Sequence, residues 1–255
     1  MQKIGIALSG GGFRGFAHLG VLQYLFEQGI MPSVISGTSV GSLVGVMIAE
    51  GYEPEELFAI GKSIKFTNSL RGLGAKAGIF PTNTLKDFIL KYIPHNSIEK
   101  LKIPSFIVST NLSESNLLVF NEGPIDIAVR ASCSFPLVFQ PLYYNHSYLS
   151  DGGILNNFPV DIIEGKCDKI IGINISPISK IVGEMNIAAL LKRTVQTAIN
   201  SNVNHKIEVC DLYIEPKDIG SYGIFDTKKS DELYKLGYQS AKEMHGDIVN
   251  LKEVE

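Results

Sequence analysis

The sequence predicts an α/β fold with parallel strand pairing, and three observations carry that expectation. Residues 3–8 (Lys-Ile-Gly-Ile-Ala-Leu) form a short apolar run that stops at Ser9-Gly10-Gly11-Gly12, the pattern of a buried strand. Residues 16–29 place Ala17, Val21 and Leu25 at helical spacing, and Gly29 ends the run. Residues 33–36 form a second β-type run, followed at once by Gly37-Thr38-Ser39-Val40-Gly41 and then by a nearly uncharged helix over 42–50. Strand, helix, strand and helix in about 50 residues make a βαβ unit with a right-handed crossover.

Downstream, strands are predicted at 105–109, 117–120, 148–150, 170–175 and 212–214, and helices at 83–92, 125–133, 187–203 and 230–248. In the last helix Tyr234, Tyr238, Ala241 and Ile248 mark an apolar stripe among charged neighbours. No linker with a shift in composition interrupts the chain, so one domain over 1–255 is expected. With 255 residues, 45% of them apolar, such a chain buries roughly 70–75% of its surface.

Charge and cysteine content exclude several function classes. Lys+Arg number 23 against 26 Asp+Glu, a net charge of −3, which argues against a generally basic nucleic-acid binder and a highly charged disordered chain. Apolar stretches such as 43–49 fall far short of the roughly 18–20 residues needed to span a bilayer. The short apolar run at the N-terminus has no secretory pattern, so a cytoplasmic location is expected, with peripheral membrane contact left open. Cys133, Cys167 and Cys210 are odd in number and widely spaced, so neither a disulfide framework nor a metal site is expected. One stretch stands apart: residues 57–86 carry Lys62, Lys65, Arg71, Lys76 and Lys86 with no Asp or Glu, a local charge of +5. It reads either as a solvated loop or as a flexible cover that attracts an anionic substrate or lipid surface, with Lys62, Lys65 and Lys76 as its contacts.

Three motifs carry chemistry. Gly10-Gly11-Gly12-Phe13-Arg14-Gly15 joins the first strand to the first helix, where bare amides and a helix N-terminus suit a phosphate or the oxyanion of acyl transfer. The spacing also fits a dinucleotide fingerprint, but residues 30–37 lack the acidic residue that fingerprint requires. Gly37-Thr38-Ser39-Val40-Gly41 sits at the second strand-to-helix junction, where glycines permit a tight turn that lifts a serine oxygen from the sheet edge. Both loops leave a parallel sheet at its carboxyl edge, so amide donors and a hydroxyl can face one substrate. For the base, His18, His95, His146, His205 and His245 all read more simply as packing or solvated residues. Asp151 in Ser150-Asp151-Gly152-Gly153 is the better candidate, its alternative being a simple Asp-Gly turn. A carboxylate needs an upward shift from about 3.9 to act as a base, and a dry apolar site supplies one.

Taken together these blocks resemble the patatin-like phospholipases. Ala131-Ser132-Cys133-Ser134-Phe135-Pro136, running on to Pro141, is similar to the family's block before the aspartate. Asn156-Asn157-Phe158-Pro159 and the late Gly237-Tyr238 also fit, so the resemblance spans nearly the whole chain in order and spacing. It implies a three-layer α/β/α sandwich with a mainly parallel sheet, near the minimum size for one such domain and without an appended module. It also implies a lipid or ester substrate, no cofactor, and a Ser-Asp dyad without histidine. Carried over, Ser39 is the nucleophile and Asp151 its base, the amides of Gly10, Gly11 and Gly12 form the oxyanion hole, and Arg14 is a possible substrate contact. A transacylase with the same dyad, a non-catalytic lipid-binding module and a dinucleotide-binding protein stand as alternatives.

Overall fold

The computed structural model describes residues 2–63, 83–136, 138–180, 183–224, 226 and 228–251. Among these described residues eight strands form one sheet: β1 (Ile4–Leu8), β2 (Val34–Thr38), β3 (Ser105–Asn111), β4 (Asn116–Phe120), β5 (Leu142–Tyr144), β6 (Ser147–Asp151), β7 (Lys169–Ile173) and β8 (Leu212–Ile214). Their order is β5-β6-β3-β2-β1-β7-β8, with β4 paired to β3 off that path. β3, β2, β1, β7 and β8 run parallel, while β4, β5 and β6 join antiparallel.

The helices are α1 (Gly15–Glu27), α2 (Val40–Glu50), α3 (Pro54–Ser63), α4 (Asn83–Tyr92), α5 (Ile125–Ser132), α6 (Gly153–Asn156), α7 (Ile187–Ser201), α8 (Ser230–Glu243) and α9 (His245–Asn250). Side chains of the central strands alternate between two cores, as a period of two requires. Ile4, Ile6 and Leu8 of β1, with Ile35, Ile171 and Ile173, pack on the layer that includes α1, α2, α4 and α5. Ala7, Val34 and Ile170 face the other way onto Phe158, Val160, Ile163 and Val203. Helical layers thus cover both faces of the sheet, the three-layer arrangement that the family resemblance implies. Among the described residues no helix is long and apolar enough to cross a membrane.

Three elements differ from the sequence reading. The predicted 230–248 helix is broken at Met244 into α8 and α9. β5 is an added edge strand; it forms a hairpin with β6 through Asn145 (φ 45) and His146 (φ 62), a two-residue loop with positive φ at both positions. α3 occupies the start of the basic stretch, with Pro54 opening it, Glu55 and Glu56 in its first turn and Lys62 in its last, each suited to its end of the helix dipole. Lys65, Arg71 and Lys76 lie outside the described residues.

Candidate active site

Strand register brings the site together. Thr38, the last residue of β2, lies opposite Val108, and Asp151, the last residue of β6, lies opposite Ser109. Two strand ends distant in sequence therefore dock on consecutive residues of β3. Leu8 pairs with both Gly37 and Ile173, so the glycine loop after β1 opens beside the turn after β2.

At that turn Ser39 adopts φ 54, ψ −126, a backbone state that a serine holds only when its surroundings impose it. The imposing contacts are visible. The Ser39 N–H donates to Ser132 Oγ at 2.8 Å, and Ser132 Oγ donates in turn to the Val108 carbonyl at 2.6 Å. Thr38 Oγ1 donates to the Asn156 carbonyl at 2.8 Å, tying the turn to α6 just beyond Asp151. Asn156 is itself held by Lys206, whose buried Nζ donates to Asn156 Oδ1 at 2.7 Å and to Asp161 Oδ1 at 2.8 Å.

Asp151 is 2% exposed. Burial pushes its carboxyl up to about 6, opposed in part by the Ser39 hydroxyl and by the Gly153 amide, which donates to Oδ1 at 2.8 Å. Its other oxygen, Oδ2, is buried and has no hydrogen-bond partner among the described residues. A carboxyl of this kind is ionised at neutral pH yet basic enough to accept a proton. Cys133 lines the same cavity, and burial followed by the Asp151 charge pushes its thiol far up, so it stays protonated.

The glycine loop divides its amides. The Gly10 N–H donates to the Asn157 carbonyl at 3.1 Å and the Phe13 N–H to the Ile224 carbonyl at 3.0 Å. This corrects the expectation that Gly10 is an oxyanion donor: its proton is engaged within the protein. The amides of Gly11 and Gly12 carry no such bond among the described residues. Gly12 has φ +59, and a Cβ there would lie 2.4 Å from the Ile224 carbonyl oxygen, so only glycine fits.

Arg14 is 6% exposed, and all five of its side-chain N–H groups face carbonyl oxygens. Nε donates to Tyr222, one terminal nitrogen to Ile175 and Pro177, the other to Gly220 and Tyr222, at 2.7–3.2 Å. The expectation of Arg14 as a substrate contact is corrected accordingly: the side chain fastens the glycine loop to two later segments. Beneath the loop His18 Nε2 donates to the Ser9 carbonyl at 2.9 Å, and burial lowers the ring to about 4. Lys62, also singled out from sequence, is paired with Asp231 at 2.7 Å and lies over the Phe58 ring. Among the described residues no histidine lines the cavity.

The cavity itself measures about 700 Å³, within the range of small-molecule sites. Gly10–Gly12, Ser39, Asp151 and Asn157 line its polar end, while Leu19, Met47, Leu57, Ile60, Phe88 and Phe139 supply apolar wall. Sequence reasoning did not single out Ser132 or Asn157 individually, although both fall in blocks that the family resemblance quoted.

Comparison with known proteins agrees with this architecture. The chain is 36% identical over 166 residues to an uncharacterized NTE family protein of Mycobacterium tuberculosis, covering 64% of this chain and 46% of that one. It is 30% identical over 279 residues to Lysophospholipase NTE1 of Candida glabrata, covering 94% of this chain and 16% of that one. The chain thus spans less than half the length of the first relative and a small fraction of the second. VipD from Legionella pneumophila shares the fold, with a TM-score of 0.61 at 16% identity over 98% of this chain and 67% of that one. The family model for patatin-like phospholipases matches residues 6–163, which include the glycine loop, the Ser39 turn and Asp151. The chain belongs to the patatin-like phospholipase family.

Proposed function

We propose that this protein is a serine lipid acyl hydrolase acting through a Ser39–Asp151 dyad. One observation carries the reading: a strained serine has its hydroxyl within reach of a buried aspartate, one of whose oxygens lacks a partner among the described residues, beside two amides uncommitted among those residues. A relative whose name is lysophospholipase supports a lipid ester as substrate, and the apolar wall suits an acyl chain.

The reaction runs in two halves. Asp151 accepts the Ser39 proton as the oxygen attacks the ester carbonyl, and loss of the alcohol leaves an acyl-enzyme. The amides of Gly11 and Gly12 receive the oxyanion, and loss of one such donor typically costs about 3 kcal/mol. Asp151 then activates water, which releases the fatty acid. The residues present require no metal or cofactor for these steps. An alcohol in place of water turns the same chemistry into transacylation.

A fluorophosphonate probe tests the assignment. It labels the wild type at Ser39, and Ser39→Ala abolishes labelling; a label that persists in that variant removes the dyad. Peripheral contact with anionic lipid is a separate proposal, supported by the +5 stretch at 57–86. Charge reversal at Lys65 and Lys76 weakens sedimentation with phosphatidylglycerol vesicles, and unchanged binding refutes it.

A further inference from the structure

Among the described residues, two buried polar atoms of the cavity lack partners, and their chemistry is complementary. Asp151 Oδ2 can only accept a hydrogen bond when ionised, and Asn157 Nδ2 can only donate. Both residues line the cavity, and Asn157 is 3% exposed. Burying either group unsatisfied is unfavourable, so their occurrence together points to a ligand that satisfies both.

The two side chains stand next to each other and next to Ser39. A Cβ built on Gly153 would lie 2.8 Å from Asn157 Oδ1 and 3.0 Å from Asp151 Oδ1. A Cβ built on Gly10 would lie 2.4 Å from Asn157 Oδ1 and 3.3 Å from Ser39 Cβ. The Asn157 carboxamide group therefore sits in the corner between nucleophile, carboxyl and glycine loop, with its Oδ1 turned toward Gly10 and Gly153 and its Nδ2 the atom without a partner among the described residues. Its main chain is fixed independently: the Asn157 carbonyl accepts from the Gly10 N–H, and its own N–H donates to Asn202 Oδ1 at 3.1 Å.

A carbonyl oxygen could satisfy the amide but offers nothing to the carboxylate. A hydroxyl satisfies both, accepting from the amide and donating to the carboxylate. We propose that Asn157 and Asp151 together seat the attacking hydroxyl in the second half of the reaction, with water as the ordinary occupant. This rests on the acyl-enzyme reading given above. The water oxygen accepts a hydrogen bond from Asn157 Nδ2 and donates one proton toward Asp151 Oδ2, which leaves a lone pair for the acyl carbon. The carbon–oxygen bond to water forms as that proton passes to Asp151. Collapse then breaks the bond to Ser39 Oγ, which takes the proton back, and the fatty acid leaves. Asn157 moves no proton; it positions the hydroxyl and thereby favours hydrolysis over a stalled acyl-enzyme.

The test separates the two halves. Rapid-mixing kinetics with a p-nitrophenyl ester are followed in the wild type, Asn157→Leu and Asn157→Ala, the last leaving room should leucine fail to fold. The expected result is an initial burst of p-nitrophenol at the wild-type rate, followed by a steady state slowed about 10- to 100-fold, the scale of a misplaced reactant. Intact-mass spectrometry then finds acylated Ser39 accumulating, and fluorophosphonate labelling proceeds at the wild-type rate. A burst rate and labelling rate that fall in proportion to turnover overturn the proposal, since the amide then serves the first half or the fold. Unchanged turnover overturns it too. Failure of the dyad itself has a different signature: wild-type protein that resists labelling, or Ser39→Ala that accepts it.

Discussion

At the scale of single residues, the site is defined by groups held in states they would not choose in water. Asp151, raised to about 6 by burial, is the clearest. In the proposed mechanism it must be ionised, so kcat/KM measured from pH 4 to 8 rises with pH through a limb near 6 and flattens above it. A limb near 4 would mean that the carboxyl is solvated in the free enzyme. The same shift has a cost in stability. A carboxyl whose folded pKa lies above its unfolded one favours the folded state only at low pH, and that contribution is lost as pH rises from about 4 to about 6. Asp151→Asn is therefore expected to abolish turnover while stabilising the fold at pH 7 by about 1–3 kcal/mol, read from paired thermal melts. Ser132 is the companion case. Ser132→Ala removes the acceptor for the Ser39 amide and the donor to Val108; it should cost about 1–3 kcal/mol in stability and slow fluorophosphonate labelling at Ser39.

Between elements, two fastenings set the geometry. α1 and α8 cross at Gly20 and Gly237: a Cβ on Gly20 would lie 2.0 Å from the Tyr234 carbonyl oxygen, and one on Gly237 2.0 Å from that of Ala17. The approach is backbone against backbone, so no rotamer change can absorb an added methyl. Gly237→Ala should destabilise by about 2–3 kcal/mol or more, a fall in Tm of roughly 5–10 °C for a chain of this size. An unchanged Tm would show that the helices can part without loss. The second fastening is Arg14, which joins the glycine loop to the segments at 175–177 and 220–222. Lysine has three donors on a point charge and cannot reproduce the planar fork. Arg14→Lys is expected to lower Tm and labelling rate together. A rise in KM alone, with Tm and labelling unchanged, would instead mark Arg14 as a substrate contact.

For the molecule as a whole, pH acts through buried groups of opposite sign. His18 is held neutral with its pKa lowered to about 4, so between roughly pH 6.5 and 4 the unfolded chain binds a proton that the folded one does not, and stability falls as pH drops. Asp151 acts in the opposite direction over nearly the same window. The Asp151→Asn variant therefore loses stability more steeply than the wild type when melted from pH 7 down to 4; parallel curves would refute the coupling. Much of this molecule was legible from its sequence. Local patterns located most strands and helices to within a few residues, because glycine stops and apolar periodicity act over a single turn or pleat, but not α3, β5 or the one-turn α6. The ordered glycine loop, Gly-Thr-Ser-Val-Gly turn and Asp-Gly-Gly turn marked out the candidate site, and the structure brings all three to one cavity, because bare backbone at a strand end has few other uses. What the sequence could not decide was which protons are already engaged. Gly10 and Arg14 look like donors to a ligand when read in one dimension, yet each meets a carbonyl contributed by a segment more than a hundred residues away. The reverse holds for Asn157, ordinary in its own stretch, whose side-chain Nδ2 is left without a partner among the described residues where the ends of β1, β2 and β6 come together. Residue type and local spacing determine what a group can offer; only long-range packing determines whether that offer is already taken.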